Sequence, residues 1–233
     1  MTDERIEFYK QAIEKMPGLG ESLLERLCAQ KDAIPRNVIV TIFVRKGTRL
    51  VKAVGCLLEN SLVEESQVLC RVLFETMVTF EYFLKLAKDD YDEVFRRYVH
   101  SFMLDKIKQL EAVDYRTCPS EKKDFWLKTK DEIERAYDLK VLKKIKRYGF
   151  ACMSFEQVAN DTGNGELYDL VYRFYSRNIH AADANENLTA FLRPEAWAEY
   201  ADSMKKMVLE VTFRAGDAIL ANANEWAGRP CEQ

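Results

Sequence analysis

From Ser61 to Lys88 the chain runs without a glycine or a proline, and this is its most apolar helical stretch. Ser61-Leu-Val-Glu64 reads as a capping box that opens the helix. Val68, Leu69, Val72, Leu73, Thr76, Val78, Phe80 and Phe83 then fall on its core side. A helix this long and this apolar needs other elements around it. Glycine (9) and proline (5) are scarce across all 233 residues, which favours long helices over a turn-rich β fold. The expected architecture is all-α, a single-domain multi-helix bundle of about six to eight helices. Residues 1–33 are read as an N-terminal helical extension and 36–226 as the core bundle.

The remaining helices follow from caps and breakers. Thr2 caps a first helix that Pro17-Gly18 stops, and a short one covers Glu21 to Lys31. Val38 to Val44, VIVTIFV, has the β-branched content of a strand. Leu50, Val51, Val54, Leu57 and Leu58 continue it at helical spacing, so one helix from about Arg36 to Glu59 is the better reading. A helix over Asp90 to Val113 precedes the break at Cys118-Pro119. Ser120 opens a long charged helix to Tyr148, with Gly149 at its C-terminal end. Phe150 to Gly165 reads as loop with one helical turn after Ser154, and Ala181 to Arg193 as irregular. Pro194 takes the first position of the last helix, which ends near Trp226.

The formal net charge of -3 gives no bulk attraction to nucleic acid or to an anionic membrane, so any such contact needs a local patch. The densest one lies in Lys140 to Arg147, where Lys143, Lys144, Lys146 and Arg147 are candidate phosphate contacts; the plain alternative is a solvated face that complements the helix dipole. The six cysteines form no Cys-x-x-Cys pair and have no histidine at zinc-ligand spacing, and four lie among apolar neighbours as small buried hydrophobes would. That usage fits a reducing cytoplasm. The acidic start MTDERIEFYK does not read as a secretory signal, and no apolar run is long enough to span a membrane. No metal or cofactor is expected.

Ionisable chemistry concentrates in two places. Arg71 and Glu75 are i, i+4 on the apolar helix. Turned outward they make a weak surface bridge; turned inward they need partners, and so apolar a helix makes the inward placement at least as expected. The second place is Leu167 to Asp183, LYDLVYRFYSRNIHAAD, which holds one of the two histidines. On a helix Arg173, Ser176, Arg177 and His180 share one face with Glu166 and Asp169. Leu167, Val171 and Phe174, flanked by Tyr168 and Tyr172, form the apolar back. An ordinary amphipathic helix is the bland reading; a front of His, Ser and Arg, rather than Lys and Glu, argues for more. His100, with Arg96 four residues before it, is a decoy or a second half of a site.

Two stretches together resemble a widespread bacterial family catalogued only as a domain of unknown function. RVLFETMVTFEYFL (Arg71–Leu84) resembles its R-x-L-x-E helix. YDLVYRFYSRNIHAAD resembles its second signature, a tyrosine (Tyr168), then a serine (Ser176) and a histidine four residues later (His180). The resemblance covers roughly Arg36 to Phe191 and implies a helical fold and a site at Arg71, Glu75, Ser176 and His180. Arg173-x(6)-His180 is also similar to the R-x(4–6)-H motif of the HEPN superfamily of helical bundles, although Phe174 stands where those motifs carry a polar residue. That similarity implies a HEPN-like core and a metal-independent endoribonuclease of toxin or phage-defence type, completed as a homodimer. His180 would move the proton and Arg173 would hold the scissile phosphate. Ser176 and Arg177 would orient it, with Arg71, Glu75 and Tyr168 in support. The competing expectation is a non-catalytic helical binding or adaptor protein, partner to a separately encoded protein. In it Arg71, Glu75, Ser176 and His180 form a structural polar network.

Overall fold

In the computed structural model of the chain, residues 2–30, 34–112, 120–173 and 193–228 are described. Every regular element among them is helical, so the expected all-α multi-helix architecture is the one observed. In chain order the α-helices are α1 (Asp3–Ala29), α2 (Ile34–Glu59), α3 (Val63–Ala87), α4 (Tyr91–Ala112), α5 (Ser120–Arg135), α6 (Leu139–Tyr148), α7 (Phe155–Asp161), α8 (Gly165–Tyr168) and α9 (Pro194–Ala227). A 3-10 turn, Gly149–Ala151, follows α6, and a π-helical turn, Asp169–Arg173, follows α8. The chain divides into two compact units: Met1–Glu81 with Asn164–Gln233, and Tyr82–Gly163.

The first unit is built on α1, α2 and α9, which pack on one another. Phe74 and Phe80 of α3 are fully buried, and Phe43 of α2 stacks on Phe80 with ring centroids 4.9 Å apart. The VIVTIFV run is helical. β-Branched residues cost about 0.5 kcal/mol each in a helix, whereas fully burying Ile39, Val40, Phe43 or Val44 returns about 2 kcal/mol each. Cys70 faces α9, where the Thr212 hydroxyl donates to its Sγ at 3.7 Å; burial pushes this thiol up to about 12, so it packs as an inert small side chain. Of the other described cysteines, Cys28 and Cys56 are exposed and Cys152 is half-buried.

In the first unit two helix boundaries differ from the expectation. Pro17 does not end the first helix; α1 runs through it to Ala29. The lost backbone hydrogen bond is outweighed by one continuous buried face of Tyr9, Ile13, Met16, Gly20, Leu23 and Leu27. Gly20 is needed there, because a Cβ would collide with Oγ1 of Thr48 on α2. Ser61 is not the N-cap of α3 but the left-handed residue after α2, at φ 62°. Its N–H donates to Leu58 O at 3.2 Å and the Leu62 N–H to Leu57 O at 2.9 Å, the paired bonds of a Schellman motif. An N-cap needs extended backbone, which Ser61 lacks.

The second unit holds α4 to α7. Phe83 and Phe150 are buried, with the Tyr98 ring packed edge-on to Phe83 at 5.7 Å and tilted on Phe150 at 5.1 Å. Leu104, Ile133, Leu142 and Ile145 form its other apolar cluster. The long helix expected over Ser120 to Tyr148 is two helices. Asp138 caps α6, accepting from the N–H groups of Lys140 at 2.8 Å and Val141 at 2.9 Å. Gly149 ends α6 at φ 70°, as its position suggested. Ser154 and Gln157 close a capping box on α7, which is longer than the single turn expected there.

Candidate functional site

Arg71 and Glu75 lie one turn apart on α3, and Arg71 Nε donates to Glu75 Oε1 at 3.0 Å. The arginine is turned inward and the carboxylate toward solvent: their side chains are 16% and 37% exposed. What covers the guanidinium is Tyr172 of the π-helical turn, with Arg71 Cζ 4.1 Å from the ring centroid. Tyr172 in turn stacks on the buried Tyr168, with centroids 4.8 Å apart and planes 16° from parallel. An ion pair this exposed contributes under about 1 kcal/mol, and a guanidinium over a shielded tyrosine face about 1–2 kcal/mol. The aromatic contact is therefore the stronger hold on Arg71.

A second tie lies further along α3. Asn164 Nδ2 donates to Glu81 Oε2 at 2.7 Å. Burial pushes the Glu81 carboxyl above the usual carboxylate range, and hydrogen bonds from Asn164 and Asn222 hold it back. Asn164 precedes α8 and Tyr172 follows it, whereas their partners Glu81 and Arg71 occur in the opposite order. The 164–173 segment thus runs antiparallel to α3, pinned at both ends. The π-helical turn lies at the end where the second signature continues, and such turns recur at functional sites.

Of the candidate residues, Arg71, Glu75 and Tyr168 meet here through Tyr172, whose part the sequence reading missed by placing it among the apolar flank. Its position four residues after Tyr168 was the available signal. Glu81 was also missed, although it falls within the first signature stretch. Glu166 and Asp169 are exposed, Val171 is fully buried, and the polar-front, apolar-back division holds for that stretch. Arg173 ends the π-helical turn, and its side chain lies outside the described residues, as do Ser176, Arg177 and His180.

The basic candidates on α6 are in the second unit. Lys146 is paired with Glu134 at 2.7 Å and the Arg147 guanidinium lies 5.0 Å from the Tyr148 ring, while Lys143 and Lys144 are exposed. His100 is there too. Its Nδ1 is 3.0 Å from the Tyr137 hydroxyl, and burial followed by the Arg96 charge lowers its pKa, against the pull of Glu93. Arg96 itself is ion-paired to Glu93.

Among the described residues no three His, Cys, Asp or Glu side chains converge as a metal-ligand set. No described helix is long and apolar enough to cross a membrane. A cleft of about 730 Å³ between α1, α2 and α9 is lined by Ile13, Pro17, Val51 and Leu209 and by none of the described candidate residues.

No curated protein and no solved structure matches the chain. A family pattern does match, over residues 37–193, a span that takes in both the Arg71–Glu75 pair and the Tyr168–His180 signature. The chain belongs to the family of unknown function DUF5677.

Proposed function

We propose that the chain is a metal-independent endoribonuclease whose reacting groups lie on the segment that leaves the π-helical turn. The observation that carries the reading is the Arg71–Tyr172 contact. It draws together two signature stretches about a hundred residues apart in sequence and braces the backbone just before Arg173, Ser176, Arg177 and His180. Brace and reacting groups are then separate. Arg71 is committed to Glu75 and Tyr172, which leaves phosphate to Arg173.

The reaction needs no metal, because RNA supplies its own nucleophile. The 2′-oxygen bonds to phosphorus as the bond from phosphorus to the 5′-oxygen breaks. The 2′-OH proton leaves to a base and the departing 5′-oxygen takes one from an acid. The products are a 2′,3′-cyclic phosphate and a 5′-hydroxyl. In this reading His180 carries one of the two proton transfers, since imidazole titrates near neutral pH. Arg173 balances the charge on the non-bridging oxygens, and Ser176 and Arg177 orient the phosphate. A homodimer, in which a second copy brings the second proton-transfer group, completes the site.

A second reading rests on a specific observation. A cation occupied by a carboxylate on one side and a tyrosine face on the other is a structural tie. The chain would then be a helical adaptor, with Ser176 and His180 extending the same network. Incubating wild type and His180→Ala with mixed RNA in EDTA separates the two. Cleavage by wild type alone, with the variant melting close to wild type, supports the nuclease. No cleavage by either, with a large fall in the melting temperature of the variant, supports the adaptor.

A further inference from the structure

We propose that the solvent face of α2 is the track along which the phosphate backbone of single-stranded RNA lies. This rests on the ribonuclease reading above and names where its substrate is held. The helix carries five basic residues, Arg36, Arg45, Lys46, Arg49 and Lys52, against one acidic residue, Glu59, in a chain of net charge -3. Arg36 is spent on the Trp226 ring at 4.8 Å. The other four are exposed, and no carboxylate among the described residues pairs with any of them.

What sets α2 apart is that three such cations follow one another along a single stripe. On the other helices of this unit several cations lie beside carboxylates: Arg5 and Arg214 share Glu210, Lys10 lies by Glu7 and Lys206 by Asp202, whereas Arg26 bonds the Asn224 amide. On α2, Arg45 and Arg49 are i, i+4, and Lys46–Arg49 and Arg49–Lys52 are i, i+3, so the cations repel one another along the helix. Glu14, Glu21 and Glu59 line the same cleft as Lys52 and temper its charge, but no ion pair among the described residues offsets the repulsion between Arg45 and Arg49, and an uncompensated feature of that kind points to a ligand. Arg45, Arg49 and Lys52 lie on one stripe and span about 10 Å of helix axis. A linear array suits a polymer of phosphates better than a single anion. Two of its members are arginines, whose planes also stack on unpaired bases. Val38 and Ile42 continue the stripe, 40% and 46% exposed, and offer apolar contact to sugars and base edges.

The test uses a fluorescein-labelled, 2′-O-methylated RNA strand of about 20 nucleotides. It cannot be cut by its own 2′-oxygen, so binding is read apart from cleavage. Anisotropy titrations over a salt series compare wild type, the triple Arg45→Ala/Arg49→Ala/Lys52→Ala, and Lys140→Ala/Lys143→Ala/Lys144→Ala, which removes equal charge from α6. The α2 triple should bind at least about tenfold more weakly near 0.1 M salt. The slope of log affinity against log salt should become shallower by about 2, while the α6 triple stays near wild type. Relieving the repulsion should leave the melting temperature of the α2 triple unchanged or higher, and Arg49→Ala alone should give a partial loss. No binding by wild type, equal losses in both triples, or displacement by polyglutamate as effective as by unlabelled RNA overturns the proposal. Normal RNA binding without cleavage of unmodified RNA leaves the track standing and removes the nuclease.

Discussion

Replacing Tyr172 by leucine removes the ring face beneath the Arg71 guanidinium while keeping an apolar side chain in its place. The Arg71 side chain is 16% exposed and its Cζ lies 4.1 Å from the ring centroid, which puts the contact toward the shielded end of the cation–π range, about 1–1.5 kcal/mol. The ion pair to Glu75, 37% exposed, is worth about 0.5 kcal/mol or less. Two double-mutant cycles separate the contributions, Arg71→Gln with Tyr172→Leu and Arg71→Gln with Glu75→Gln, each read by urea denaturation with matching m-values. The Tyr172 coupling should be at least twice the Glu75 coupling. It should persist near 1 M salt, where the Glu75 coupling fades. A Tyr172 coupling no larger than that of Glu75 would refute the claim that the aromatic contact holds the two signature stretches together.

Three further outcomes follow from the packing and the titrating groups. Burial raises the Glu81 carboxyl, so its contribution to stability is favourable below the ordinary carboxylate pKa and is lost as pH rises through its folded-state value. Glu81→Gln should therefore melt above wild type at neutral pH, with the gap closing near pH 4. Gly20→Ala should destabilise by about 1–3 kcal/mol despite alanine's better helix propensity, because the new methyl meets Thr48 Oγ1; adding Thr48→Ala should recover most of the loss in a denaturant titration. Burial and Arg96 lower the pKa of His100, so its ring should titrate below the ordinary histidine range by NMR, and its contribution to stability should fall as the solution is acidified through that range.

Much of the site was legible because helical spacing survives folding. Arg71, Glu75 and Tyr168 were read from spacing and resemblance, and the fold brings them together through a ring four residues from Tyr168. The helical reading of Val38 to Val44 followed from the apolar spacing beyond it, and burial of Ile39, Val40, Phe43 and Val44 explains why propensity lost. The misreadings are all local signals overruled or re-used by tertiary packing. Pro17 is carried through α1 by a buried face that only the neighbouring α2 and α9 create. Ser61 has the sequence of an N-cap, but the chain spends it on ending α2 with a left-handed residue. Asp138 capped a helix the charge pattern had already filled in as continuous. The π-helical turn and the Glu81–Asn164 bond have no short-range signature. The first is a one-residue adjustment of the helical ladder, and the second joins residues 83 apart in sequence. The α2 stripe is not legible in sequence, because which of the basic residues of α2 face solvent together is set by how α2 packs on α1 and α9.

In the proposed reaction the segment after the π-helical turn cuts RNA through the substrate's own 2′-hydroxyl. The most direct test is product-end analysis after exposing an RNA strand and its all-2′-deoxy counterpart to wild type and His180→Ala in EDTA. The expected result is cleavage of the RNA alone, by wild type alone, leaving 2′,3′-cyclic phosphate and 5′-hydroxyl ends. Cleavage of the deoxy strand, cleavage that stops in EDTA, or undiminished cleavage by His180→Ala would contradict it.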